Sequence, residues 1–330
     1  VRKTFWLILI AAFACAGWFV WALLTPTEPA AKTFVMLHPG YSTRRIASEL
    51  KSAGVIRSEQ AFILWHYIHR RPLQAGEYLF EKAADLMDVQ RRLARGDVYF
   101  HTVVVPEGFT MFDIARAVEA AGLGPAENFL KVAQSDTALI TDLSSGAPSL
   151  EGYLFPDTYQ FSRMQTMQDI AAAMVKQFRQ VAHQIGLIAA AGTIDIERPV
   201  IMASIVEKET AVAEERPLVA SVYYNRLAKN IALDADPSII YAELLAGTYT
   251  GALHHDDMRF DSPYNTYRHA GLPPGPIGNP GKSALEAAMH PAQSDYYYFV
   301  ADAAGHHRFA RTIEEHNKNV DAYRRAVRGK

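Results

Sequence analysis

"HPGYSTRRIASELKSAGV", residues 38–55, aligns without gaps to "PEGFTMFDIARAVEAAGL", residues 106–123. Gly40 falls on Gly108, Tyr41 on Phe109, Ser42 on Thr110, Ile46 on Ile114, Ala47 on Ala115 and Gly54 on Gly122. A short apolar run, "FVML" or "TVVV", leads into each copy. A Gly turn, a hydroxyl N-cap, an apolar stripe of helical period and a closing Gly follow in that order. The spacing predicts two strand–turn–helix units. After the first come "SEQAFILWHYIHR", with the period of a second helix, and a strand-like "AGEYLFE". Any small α/β unit buries one helix face in this way, so packing explains the pattern as readily as ligand binding does.

Ahead of the first copy, "TPTEPAAKT" (25–33) is rich in Pro and small residues and has no apolar period, which fits a stalk. Before it lies "FWLILIAAFACAGWFVWALL", an uncharged run over residues 5–24. At ~1.5 Å rise per residue it spans a hydrocarbon layer of about 30 Å. Arg2 and Lys3 precede the run, and Lys32 is the first basic residue after it. This asymmetry predicts a cytoplasmic N-terminus, residues 1–4, and an exported remainder. A cleaved signal peptide is the competing reading, but its apolar region is shorter and is followed by a small-residue cleavage site. The single cysteine, Cys15, lies inside the run, so the exported part has neither a disulfide nor a Cys-based metal site.

The 330 residues carry 33 basic and 35 acidic side chains and no long Lys/Arg run, which argues against a nucleic-acid partner. Beyond about residue 150 the pattern shifts to longer helices: residues 168–186, "ERPVIMASIVEKETAV" with Pro199 in its first turn, and "RPLVASVYYNRLAKN" from about Pro217.

"ASIVEKET", residues 203–210, places Glu207 and Glu209 on an apolar helix. Residues two apart point about 200° away from each other, so the two acids cannot share one cleft. Ala203, Ser204, Thr210 and Ala211 surround Glu207. Ile205, Val206, Val212 and Ala213 surround Glu209, which therefore interrupts the greasy stripe. Burial against aliphatic groups keeps a carboxyl protonated near neutral pH, as a general acid requires. The competing reading pairs Glu209 with an arginine such as Arg216.

Asp234 and Asp236, in "LDADPSIIY", stand at a turn before Pro237, where backbone bonding is the ordinary role of Asp. Adjacent histidines, 254–255 and 306–307, lack metal-ligand spacing, and neither a metal nor a cofactor is expected. "SPYNTYRHAGLPPGPIGNPGKS", 262–283, is too long and too rich in Pro, Gly and aromatic–amide groups to be mere connection. Aromatic faces beside amides and hydroxyls suit sugars. Tyr264, Asn265, Thr266 and Tyr267 offer that combination, as do Tyr223, Tyr224 and Asn225.

Eight ordered motifs carry a resemblance: "LEGYLFPDTY", "ASIVEKET", "VASVYYNRL", "LDADPSIIY", "YNTY", "GLPPGPIGNPG", "YYYFVAD" and "HRFARTIEEHN". With them the chain resembles the endolytic murein transglycosylases, the MltG or YceG-like family, from the apolar run onward. The resemblance implies an α+β chain: a transmembrane helix over 5–24, a linker over 25–33, a LysM-like subdomain over 34–149 and a helix-rich catalytic domain over 150–330. It implies an inner-membrane lytic transglycosylase that cuts peptidoglycan glycan strands internally, leaves 1,6-anhydro ends and works beside cell-wall synthases. The essential acid of V-E-K-E-T falls on Glu209, the residue the helix face also singles out.

Substrate contacts are expected from Tyr224, Asn225, Asp236, Ser238, Tyr264, Asn265, Thr266, Tyr267, Leu272, Pro273, Gly275 and Asp157. Ser238 stands where Thr is frequent in the family, which bears on sugar subsites only. Two rivals remain: a hydrolytic muramidase using Glu209 with Asp236 or Asp157, and a wall-binding scaffold without catalysis.

Overall fold

The computed structural model describes residues 2–29, 31–188 and 196–328. It is a helix-rich α+β chain in which the strands form small two-stranded sheets. The chain packs as two compact units, 1–101 with 160–164, and 102–159 with 165–330.

The first unit begins with helix α1 (Arg2–Leu24), which is long and apolar enough to cross a membrane. Strand β1 (Thr33–Leu37), helices α2 (Thr43–Ser52) and α3 (Glu59–His69), strand β2 (Gly76–Phe80) and helix α4 (Leu86–Arg95) follow. β1 and β2 pair antiparallel, Thr33 opposite Phe80 and Leu37 opposite Gly76. Val35, Leu37, Tyr78 and Phe80 point from this ladder into a core shared with Leu50, Phe62, Val89 and Leu93. The end of α1 joins the same core: Ala22 and Leu23 are buried in it and Phe19 packs on it.

Strand β3 (His101–Val104) pairs with β4 (Thr158–Phe161), and between them run α5 (Met111–Ala120) and α6 (Ala126–Ser135). The two aligned segments of the sequence have the same local geometry. Gly40 and Gly108 take φ of 83° and 76°, and Gly54 and Gly122 take 70° and 75°. Ser42 caps α2 by accepting from the Arg45 amide, and Thr110 caps α5 by accepting from the Asp113 amide. The two copies fall in different units.

The rest of the second unit comprises α7 (Met167–Gln184), α8 (Glu197–Glu209), α9 (Arg216–Ala228), α10 (Asp236–Ala246), α11 (Lys282–Met289), β5 (Tyr298–Ala301), β6 (His307–Ala310) and α12 (Ile313–Arg328). Helix α8 is its axis: residues 200–206 are all buried, and α9, α10 and α11 pack around it. Every face of α8 is covered, which is why its apolar residues run continuously instead of in a stripe. α8 ends at Glu209. Thr210 is already extended, with φ −141° and ψ 131°. Val212 and Ala213, read above as helix-face neighbours of Glu209, therefore lie beyond the helix.

Candidate active site

The C-terminal end of α8 delivers Glu209 into an open cleft of about 400 Å³. The cleft is lined by Tyr223 and Arg226 of α9, Asp234 and Asp236 at the start of α10, Tyr267, Tyr298 and Phe299 of β5, and His316 of α12. Tyr223 and Arg226 are three residues apart and so share one face of α9. The buried Tyr223 hydroxyl donates to Glu209 Oε1 at 2.8 Å. Burial, reinforced by the nearby Asp236 charge, pushes the Glu209 carboxyl up to about 7, against the Tyr223 hydrogen bond and the Arg226 charge. The negative end of the α8 dipole works in the same direction as burial. With Oε1 accepting from Tyr223, Oε2 is the oxygen left to carry the proton.

Arg226 is held rigidly. Its Nε donates to the Tyr297 carbonyl at 2.7 Å and its Nη1 to the carbonyls of Ala232 and Leu233 and to Asp234. The guanidinium lies over the Tyr298 ring, 5.1 Å from its centre, and the His316 ring stacks on Tyr298 at 5.3 Å. Burial and Arg226 hold His316 below the usual imidazole range, so it is neutral near pH 7. Opposite, the Tyr267 hydroxyl donates to Asp236 Oδ1 at 2.6 Å. Thr266 and Ser238 lock this pair in place: Thr266 Oγ1 accepts from the Ala235 amide at 2.9 Å and lies 2.9 Å from Ser238 Oγ.

Of the side chains expected to contact substrate, the cleft brings Asp236 and Tyr267 to the expected acid Glu209. Ser238 and Thr266 lie buried behind them. Asn265 is fully buried and donates to the carbonyls of Met258 and Phe260. Tyr264 is buried with its ring 5.1 Å from that of Tyr241. Tyr224 donates to the Ala288 carbonyl, and Asn225 to those of Ser294 and Tyr296. Leu272, Pro273 and Gly275 do not line the cleft, and neither does Asp157, which accepts from Gln177 and the Thr158 amide. Arg226, Tyr298, Phe299 and His316 line the cleft without having been singled out in the sequence, and Tyr223, named there only as part of an aromatic–amide group, bonds the carboxyl. Once Tyr223 is chosen over Tyr224, the i, i+3 spacing brings in Arg226.

Glu207 faces away, into an internal ion pair. Its carboxylate meets Arg216 at 2.7 Å and accepts from the Gly281 amide at 2.9 Å. Arg216, the alternative partner suggested for Glu209, is thus engaged elsewhere.

The Pro–Gly loop is a rivet beneath the site. The fully buried Asn279 accepts from the amides of Gly152 and Leu154 and donates to the Phe109 carbonyl and to Glu151. Glu151 also accepts from the Met111 amide at the start of α5, and burial pushes its carboxyl up to about 7. Gly152 sits at φ +88°, where a Cβ would come within 2.4 Å of Pro276 Cγ, so only glycine fits. His306 and His307 both engage Glu215, at 3.0 and 2.7 Å.

A larger hollow of about 500 Å³ lies in the first unit, among Lys82, Arg91, Arg92 and Arg95. Arg91 and Arg95 are occupied by Asp88 and Asp97.

A raised carboxyl on a helix end, backed by a buried tyrosine and facing aromatic walls, suits general acid–base chemistry. The chain belongs to the YceG-like family, whose model matches residues 35–322. A Bacillus subtilis (strain 168) protein named endolytic murein transglycosylase is 36% identical over 322 residues, 92% of this chain and 88% of that protein. A protein of the same name from Streptococcus pneumoniae serotype 2 is 30% identical, and the match covers 95% of this chain but 63% of the pneumococcal protein. A crystal structure of a YceG-like protein from Listeria monocytogenes superposes with a TM-score of 0.60 at 32% identity. That match covers 87% of this chain and 98% of the other.

Proposed function

We propose that this protein is a membrane-anchored endolytic lytic transglycosylase. It cuts the β-1,4 bond between N-acetylmuramic acid and N-acetylglucosamine within peptidoglycan strands. The observation that carries the reading is the raised Glu209 carboxyl in an aromatic-walled cleft, and the transglycosylase name of the relatives supports it. Glu209 donates the Oε2 proton to the glycosidic oxygen. The muramic N-acetyl group shares the charge that develops at C1. The Glu209 carboxylate then takes the proton of the sugar's own 6-hydroxyl as that oxygen closes on C1, giving a 1,6-anhydro end. Proximity of this hydroxyl replaces an activated water. Phe299 and Tyr267 offer faces for pyranose rings, and Tyr223 holds the acid in position.

The helix α1 serves as anchor in this reading, with the enzyme in the bacterial cytoplasmic membrane, its N-terminus inside and the cleft outside. Removal of α1 as a signal sequence would strip Ala22 and Leu23 from the core of the first unit, which supports retention. We also infer that this unit works as a LysM-like glycan-holding module and that cell-wall synthases supply the strands.

One observation favours a rival. Asp236 lines the same cleft as Glu209, as a hydrolytic muramidase with two carboxylates requires. Purified murein strands digested with the parent and with Glu209→Gln test the reading. The parent yields mid-length fragments early, and the variant loses ~10²–10⁴-fold in rate. Equal rates would remove Glu209 from the chemistry, and no digestion by the parent would favour a binding scaffold.

A further inference from the structure

One face of the last turn and a half of the apolar helix α1 packs on the first unit. Phe19, Ala22 and Leu23 pack into its core, and Arg57 clamps the exit, its guanidinium 5.5 Å from the Trp21 ring centre and donating to the Pro26 carbonyl. Residues 5–18 are left uncovered. At ~1.5 Å per residue they span about 21 Å, roughly 9 Å short of a hydrocarbon layer of about 30 Å. Full immersion of the apolar run therefore draws the surface of the first unit around α1 into the lipid interface.

Helix α3 packs against α1 and is built for that position. Phe62 faces the core, whereas Leu64, Tyr67 and Ile68 form the opposite face and are 48%, 63% and 59% exposed. Their i, i+3, i+4 spacing makes one continuous apolar strip. Residues 60–76 contain no Asp or Glu, and His69, Arg70 and Arg71 stand exposed at the end of the helix. Apolar and aromatic side chains beside uncompensated arginines match the interface of an anionic leaflet.

We propose that α3 is a second membrane contact, lying in the headgroup region of the bilayer that α1 spans. Leu64, Tyr67 and Ile68 reach below the phosphates, and Arg70 and Arg71 sit on anionic headgroups. The proposal rests on the anchor reading. It makes the first unit a fixed base on the membrane instead of a domain on a free tether.

The test uses the full chain carrying Cys15→Ala and a single new cysteine, Phe13→Cys, Tyr67→Cys or His38→Cys, labelled with a polarity-sensitive fluorophore. Each is reconstituted in phosphatidylglycerol–phosphatidylethanolamine vesicles containing a shallow or a deep lipid-borne quencher. A probe at 13 quenched by the deep lipid establishes the anchor. The probe at 67 should then be blue-shifted and quenched by the shallow lipid, and the probe at 38, beyond the far end of β1, should be neither. Arg70→Glu with Arg71→Glu should weaken the quenching at 67. Quenching at 13 without quenching at 67 overturns the docking of α3 and leaves the anchor standing. No quenching at 13 overturns the anchor reading and the proposal with it. A blue shift at 67 that ignores lipid quenchers and grows with protein density overturns it in favour of a second copy on this face.

Discussion

The Tyr223 hydroxyl, two turns into α9, lies 2.8 Å from Oε1 of Glu209, the last residue of α8, and Asp236 lies in the same cleft. The two neighbours act oppositely on the acid. Tyr223 favours its charged form and Asp236 disfavours it. Tyr223→Phe should therefore move the alkaline limb of the pH–rate profile upward by about one unit, the equivalent of ~1.5 kcal/mol in a hydrogen bond to a charged acceptor. Asp236→Asn should move the same limb downward. Two shifts of the same sign would contradict this electrostatic arrangement.

Stability carries the same signature. Glu209 has a folded value near 7 against an ordinary 4.5, so the folded protein binds its proton more tightly. The resulting stabilisation is complete below about pH 4.5 and is lost as pH rises through about 7. Urea titrations should find Glu209→Gln more stable than the parent above pH 7, by up to ~3 kcal/mol, with the gap closing towards pH 4.5. A gap independent of pH would mean that the carboxyl is not buried in the way described.

Glu207 and Asn279 should matter for folding and not for the proton. The Glu207 and Arg216 side chains are 5% and 6% exposed, and removing one partner leaves a buried charge. Glu207→Gln should cost roughly 3–5 kcal/mol. Asn279→Ala orphans the Gly152 and Leu154 amides, at ~1–3 kcal/mol each. Both variants, assayed where they remain folded, should keep the parent's pH profile. A displaced alkaline limb in either would tie that residue to the acid.

A fragment beginning at Lys32 loses the burial of Ala22 and Leu23 and should be less stable than one beginning at Trp18 by about 3 kcal/mol. Thermal melts of the two fragments in detergent would show it, and equal melting points would mean that α1 contributes nothing to the core.

Much of this architecture was legible beforehand, and what was not has physical causes. The paired strand–turn–helix segments announce themselves because Ser42, Thr110 and the flanking glycines are local signals, satisfied within a few residues. Glu209 is singled out in the sequence by Ile205 and Val206, which do share its helix face. The end of α8 was missed because neither Gly nor Pro marks Thr210. Tyr223 and Tyr224 are adjacent and alike, and only the packing of α9 on α8 decides which one meets the acid. Tyr298, Phe299 and His316 converge through the β5–β6 ladder and α12, a tertiary pairing that no local period encodes. The Pro–Gly loop was read as a sugar-facing groove, yet Asn265 and Asn279 spend their amides on backbone groups and Glu151 inside the unit.

In the proposed reaction the sugar, and not water, attacks the anomeric carbon. The most direct test is mass spectrometry of the new muramic ends after purified murein strands are cut in ¹⁸O-labelled water. Lytic closure predicts ends without label, lighter than hydrolysis products by one water. Labelled ends at full hydrolytic mass would contradict it and assign Asp236 the activation of water opposite Glu209.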